Sequence, residues 1–267
     1  MPCGVRSTGS GPMNMSRVAI VAALEREVRP LIKKWRVSEI EHGGRQFRFF
    51  ASGEVVLVCA GIGAAAARRA AEAVIAIFEP RLIYSAGFAG ALDSKLRVED
   101  VVHPQRVTNA GDGSSITVSG GDGMLVSFAS IASPEQKHKL GESFGAVAVD
   151  MEAAAVGRAA EARGVEFDVI KVISDEIDFK FPSMERFVDS DGRFAEGRFA
   201  LFAALRPWLW PQVIQLARNS SRASRALCDR LRTVTTSEAL AAGPAVAAAA
   251  DNLHRKSNNP LPNPAEK

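Results

Sequence analysis

The sequence predicts an α/β fold, a mixed and mostly parallel sheet covered by helices on both faces, and three observations carry that prediction. Apolar, β-branched runs recur along the chain, and most are followed by a segment of helical spacing. These runs are continuously apolar, as in strands buried on both faces, and do not alternate with polar residues. Strand and helix alternate in order, the arrangement of parallel sheets in layered domains. With 267 residues, 47% hydrophobic and 24% charged, the chain has apolar material for one sizeable core or at most two small ones.

The elements follow in order. Residues 1–16 are rich in Gly, Ser, Pro and Met, the composition of a disordered leader, within which Met13 or Met15 could be the true start. From Arg17, VAIVAAL reads as a buried strand and EREVRPLIKKW as the helix it feeds. FRFFAS and VVLVCAG read as neighbouring strands joined by a Gly-containing turn, and GIGAAAARRAAEAVIAIF as an Ala-rich helix. RLIYSAGFAGAL is an apolar strand ending in small residues, VEDVVHPQRVT another strand, and PEQKHKLGESF a polar helix with Pro134 at its first turn. AVAVDMEAAAVGRAAEARG is again strand into helix, and FDVIKVISDEID is a buried strand with an acidic end.

Beyond Phe199 the run LFAALRPWLWPQVIQLARNSSRASRALCDRLR is amphipathic, with Trp208 and Trp210 near one end and Arg218, Arg222, Arg225, Arg230 and Arg232 along the other. It reads as a C-terminal helix packed on the domain with a solvated basic face; an interfacial lipid contact is the other reading. The expected organisation is a leader at 1–16, one domain over 17–235 with a helical extension from about 206, and a disordered tail at 236–267.

Composition excludes several function classes. The formal charge is +3, with Arg and Lys scattered through the body, which argues against a nucleic-acid surface. Cys3, Cys59 and Cys228 lie far apart; they imply neither a disulfide framework nor a zinc site and suit a reducing compartment. His42, His103, His138 and His254 show no ligand spacing, so no metal is expected. No signal-peptide core or bilayer-length apolar run occurs, and the expected location is cytoplasmic.

In parallel sheets ligands bind at the carboxyl ends of the strands, so polar residues there are the candidates for chemistry. Glu27 follows the first strand, where the helix dipole alone would explain a carboxylate. Asp175 ends a β-branched strand, as a loop-start cap or as a group facing the cleft. Glu152 follows an apolar strand and opens an Ala-rich helix, with Asp150 two residues before it, an awkward pair for packing. Carboxylates at the ends of neighbouring strands would converge on one crevice. Cleaving a C–N bond to a purine builds positive charge on the ribose and negative charge on the base; a protonated carboxyl can donate to the base, a carboxylate can activate water, and a third can accept the ribose hydroxyls. Gly87 and Gly90 in AGFAGAL suit close approach of backbone to a ligand, or of a helix to the sheet. CAGIGA has two of the three glycines of a dinucleotide fingerprint, and a tight strand-to-helix turn is the plainer meaning.

VAIVAALEREV, CAGIG, SAGFAGAL with a DVV strand after it, AVDMEAAAV and VISDEID together resemble, in order, the purine and uridine phosphorylase superfamily, and most closely its hydrolytic methylthioadenosine/S-adenosylhomocysteine nucleosidase branch. The resemblance spans roughly residues 17–205. It implies a three-layer αβα fold, a homodimer, and activity without metal or organic cofactor. It implies that Glu27 activates water and that Asp175, supported by Ser174, protonates the purine. Met151 and Glu152 would hold the ribose, backbone near Ser130 and Ile131 would read the base edge, and Leu24, Ile62 and Met184 would line the pocket for the 5′ substituent. The Gly-rich stretch departs from the nucleosidase pattern at Phe88, where a Ser that helps hold the water is typical. Ser85 stands where bacterial purine phosphorylases of the superfamily place a phosphate-binding Arg; Arg26 or Arg29 could supply such a contact. The WLW-and-Arg segment looks more like hopanoid-associated members of the superfamily, whose proposed role is removing adenine from adenosylhopane. The expected function is therefore release of adenine from a nucleoside by hydrolysis. The alternatives are phosphorolysis, a hopanoid-linked substrate, a non-catalytic nucleoside-binding protein and, on CAGIGA alone, a dinucleotide-dependent oxidoreductase.

Overall fold

A computed structural model of the chain describes residues 18–181, 187, 189, 192 and 194–241. Its strands are β1 (Val18–Ala22), β2 (Arg36–His42), β3 (Arg45–Ser52), β4 (Val55–Cys59), β5 (Leu82–Ala91), β6 (Val101–Val102), β7 (Arg106–Asn109), β8 (Ser115–Thr117), β9 (Met124–Ser127), β10 (Ala148–Asp150) and β11 (Glu166–Asp175). Its helices are α1 (Glu25–Ile32), α2 (Ala64–Phe78), α3 (Pro134–Phe144), α4 (Ala153–Glu161), α5 (Glu196–Ala204) and α6 (Trp210–Ala241).

One mixed sheet runs in the order β2-β3-β4-β1-β5-β10-β9-β7-β8, with β11 paired to β5 and to β6. β5 is the hub. Its first half is parallel to both β1 and β11, and its end turns to pair antiparallel with β10. Gly87 and Gly90 of LIYSAGFAGA carry no side chain where the side chains of Glu27, Lys171, Asp175 and Lys137 crowd against the strand.

The two faces of the sheet are covered by different helices, giving three layers. On one face Val28, Leu31 and Ile32 of α1 and Ala223, Leu227, Cys228 and Leu231 of α6 pack on Ile20, Leu57, Tyr84 and Val172. On the other, the Ala-rich faces of α2 and α4 pack on Ala19, Val21, Val56 and Ile83. The small Ala side chains let these helices lie close to the sheet. α3 opens with the capping box that its sequence encodes: Ser133 Oγ accepts from the Gln136 amide, and Gln136 returns a bond to the Ser133 amide.

Some elements lie outside the sequence reading and others correct it. RVSEIEH forms β2, an edge strand with mostly exposed side chains and therefore no apolar run to betray it. VEDVVHPQRVT forms two short strands, β6 and β7, because Pro104 between them has no amide to give a ladder. β8 and β9, of three and four residues, are too short to show a period in the sequence. The C-terminal run is broken at Leu205, and Pro207–Leu209 makes one 3-10 turn before α6 begins. α6 continues through Ala241, past the expected boundary at 235, and Thr233, Thr235 and Ser237 return their hydroxyls to carbonyls of the preceding turn. No described helix is long and apolar enough to cross a membrane.

Candidate active site

β1 and β10 run toward each other along β5, β11 ends opposite Gly90 of the same strand, and Glu27, Glu152 and Asp175, at or just beyond these strand ends, share one pocket of about 160 Å³. Leu24 and Glu27 line it from the start of α1, Phe88 from β5, and Ser130 and Ile131 from the loop before α3. Ile62, Met151, Glu152, Ser174 and Asp175 complete the expected set. Gly87 lies behind the lining, and Met184 falls outside the described residues. A larger cleft of about 970 Å³, lined by Arg97, Asp178, Lys180 and residues of α6, contains none of the three buried carboxylates.

Glu27 sits in the first turn of α1 and is buried. Pro30 in this helix has no amide for the Arg26 carbonyl; Ser224 of α6 donates its hydroxyl there at 3.4 Å and to the Glu27 carbonyl at 2.9 Å. The long C-terminal helix thereby fixes the backbone under Glu27. A Cβ on Gly87 would lie 2.9 Å from Glu27 Oε2, so only glycine leaves the carboxyl its place. Among the described residues Oε2 has no hydrogen-bond partner, and neither has the buried Ser85 hydroxyl. Burial, and after it the charge of Glu152, raises the Glu27 pKa to about 8.

Glu152 is gripped by backbone. The Gly63 amide donates to Oε1 at 2.7 Å and the Met151 amide to Oε2 at 3.3 Å. CAGIG is thus a strand-to-helix turn whose Gly63, at φ +95°, aims its amide at a carboxylate. Burial holds Glu152 above the usual carboxylate range, against the pull of Lys171.

Asp175 owes its direction to a bulge. The register of β11 on β5 runs in step to Ile173 opposite Ala89, then Asp175 falls opposite Gly90 with Ser174 extra. The inserted residue reverses the alternation, so Asp175 faces the side of β5 that a Gly90 side chain would fill. A Cβ on Gly90 would lie 2.8 Å from Asp175 Oδ2. Ser174 donates to Oδ1 at 2.6 Å and Lys137 of α3 to Oδ2 at 2.5 Å. Burial pushes Asp175 up, partly opposed by Lys137.

Sequence reasoning missed the two buried lysines. Lys171 of β11 bonds Asp150 at 2.8 Å, while Asp150 also accepts from Ser127 at 2.6 Å and from the Ala153 amide at 2.8 Å. Asp150, awkward in the sequence, is thus the tie between β9, β10, β11 and α4. Burial works against the Lys171 charge, but Asp150, Glu152 and Glu27 outweigh it and hold the ammonium above its ordinary value. A lysine inside VIKVIS was the available signal; Lys137, in a polar helix, gave none. Arg26, Phe181, Leu216 and Ser220 also line the pocket.

The model of the phosphorylase superfamily matches residues 17–126 and 117–205. The chain belongs to the phosphorylase superfamily. It is 29% identical over 195 residues, 59% of this chain and 86% of the relative, to a 5′-methylthioadenosine/S-adenosylhomocysteine nucleosidase of Staphylococcus aureus. Among solved structures, the Helicobacter pylori nucleosidase of the same name superposes with a TM-score of 0.64 at 18% identity, covering 84% of this chain and 100% of that one. Futalosine hydrolase of the same organism gives 0.63 at 18% identity, covering 84% and 98%. These superpositions establish the three-layer fold, and with the superfamily match the chain is a glycosidic-bond-cleaving enzyme.

Proposed function

We propose that the protein releases adenine from a purine nucleoside by hydrolysis. One observation carries the reading: three buried carboxylates share a single pocket, Glu152 held by two backbone amides, Asp175 by Ser174 and Lys137, and Glu27 with its Oε2 unbonded among the described residues. Glu27, free at one oxygen, takes the proton of the attacking water. Glu152, fixed by two amides, accepts the ribose hydroxyls, with Met151 against the sugar. Asp175 delivers a proton to the base, so that the C–N electron pair leaves on a neutral ring. Water rather than phosphate is favoured because the two buried lysines of the site are already committed, Lys171 to Asp150 and Lys137 to Asp175, which leaves Arg26 as the lining cation a phosphate would have to reach. The relatives named above as nucleosidases agree with this. Adenine release from methylthioadenosine and S-adenosylhomocysteine, followed with and without phosphate, tests it; equal rates are expected, and an absolute phosphate requirement would overturn hydrolysis.

The 5′ substituent is proposed to be apolar, which takes in the hopanoid-linked alternative. Leu216 and Ser220 of α6 line the pocket, and the same helix leads back to Ile214 and Trp210 and, in the 3-10 turn before it, Trp208, which are exposed together with Leu201 and Leu205. In a series of 5′-alkylthioadenosines kcat/KM should rise roughly fourfold per buried methylene, from about 0.8 kcal/mol each, and Leu216→Ala should flatten the rise. A series flat in the native enzyme would remove this reading.

A further inference from the structure

The Lys137–Asp175 contact has a consequence for where the reaction's proton is kept. Both oxygens of Asp175 are occupied, Oδ1 by the Ser174 hydroxyl and Oδ2 by the Lys137 ammonium. Lys137 is 1% exposed, spends a second N–H on the Glu176 carbonyl at 2.7 Å, and lies 5.9 Å from the centre of the Phe181 ring. Two donors favour the ionised carboxylate, against the burial that raises its proton affinity. A neutral carboxyl in the same place would turn its own O–H against an ammonium. The resting pair thus carries one transferable proton, and it sits on nitrogen.

We propose that Lys137 is the proton reservoir for the departing base, passing its proton through Asp175. The inference rests on the nucleosidase reading above. As the glycosidic bond breaks, its electron pair stays with the base. The Asp175 Oδ2–H bond, formed as an Nζ–H bond of Lys137 breaks, then gives its proton to a ring nitrogen. Hydroxide equivalent from water bonds the sugar carbon, and the water's second proton goes to Glu27. Lys137 is left neutral and Asp175 ionised, and the proton on Glu27 returns through solvent to reset the pair. Burial raises the proton affinity of Asp175 even beside the ammonium, which brings donor and relay closer in strength. Of the other charged groups about the pair, Glu176 faces Arg97, His138 faces Asp178, Asp150 holds Lys171, and Arg26 lines the same pocket with its guanidinium over the Phe194 ring. Glu152, at the N-cap of α4, and Glu27, in α1, face the pocket.

The test compares two substrates in the full-length native enzyme and in Lys137→Met and Lys137→Arg. Methylthioadenosine needs its leaving group protonated; 4-nitrophenyl riboside does not, because nitrophenolate departs as a stable anion. At pH 8 both variants should lose adenine release by about 10²-fold or more while keeping nitrophenol release within roughly threefold of native. Measured against the native enzyme at the same pH, adenine release by Lys137→Met should recover as the pH falls, because Asp175 then protonates alone while the loss of ionised Glu27 is common to both enzymes. Lys137→Arg should not, since a guanidinium keeps its charge and gives up no proton. Native-level adenine release by Lys137→Arg would show that charge alone suffices and would overturn the reservoir. Equal loss on both substrates would assign Lys137 a purely structural part and overturn it too. A native enzyme that releases nitrophenol but adenine from no nucleoside would overturn the nucleosidase reading, and the reservoir with it.

Discussion

Glu27→Gln is expected to lower kcat/KM by roughly 10²–10⁴-fold, the range for loss of a positioned general base, and at the same time to stabilise the protein at alkaline pH. Both effects come from one buried carboxyl whose pKa is raised to about 8. A group raised in the folded state contributes its stability fully below its unfolded value near 4.5 and loses it as the pH climbs toward 8. Above that, the folded protein must keep a carboxylate away from water and beside Glu152. The interval corresponds to about 5 kcal/mol at the usual conversion, an upper order of magnitude. Gln has the same shape and no charge at any pH. Thermal unfolding at pH 5 and pH 9 should therefore show native and variant alike in acid, and the variant more stable in base. The base must also be ionised to act, so native kcat/KM should rise with pH through about 8, as a free-enzyme property. A variant that turned over normally, or whose stability margin did not grow with pH, would remove Glu27 from this role.

The parts of the fold that were legible are those where burial leaves a mark on composition. VAIVA, VVLVC and the apolar body of β11 lie between two helical layers and are apolar throughout; α3 declares itself by Ser133, Pro134 and Gln136. β2 lies at the edge with charged residues exposed, and β9 has only four residues, so neither offers a period to read. The site divides along the same line. Glu27, Glu152 and Asp175 stand at ends of apolar runs, where a charge has to face something, and their order matched a family. The bulge at Ser174 that turns Asp175 around depends on the partner strand and cannot be seen along one chain. Lys137 looks like any solvated residue of a polar helix until the pocket closes over it. Its burial is a tertiary fact.

Lys171→Met should be the most destabilising single change near the site. The ammonium is buried beside Asp150 and is attracted by Glu152 and Glu27 as well. Removing it leaves carboxylates in a region closed to water, and breaking a buried pair from one side costs about 3–5 kcal/mol. The cost should shrink in acid, where protonation relieves the repulsion, so the loss of stability grows with pH. Activity should respond separately. Without Lys171 the carboxyl of Glu27 loses a charge that favours its ionised form, and the rise of kcat/KM with pH should move upward from about 8. Adding Asp150→Asn distinguishes the two effects. Asn can still accept from the Ala153 amide while carrying no charge, so the double variant should recover most of the stability, a coupling readable from a double-mutant cycle. It should not return the pH profile, because Glu27 and Glu152 still lack their cation. If the profile of the double variant coincided with that of the native enzyme, Lys171 would be a tie for Asp150 and nothing more, and the electrostatic link between that tie and the general base would have to be abandoned.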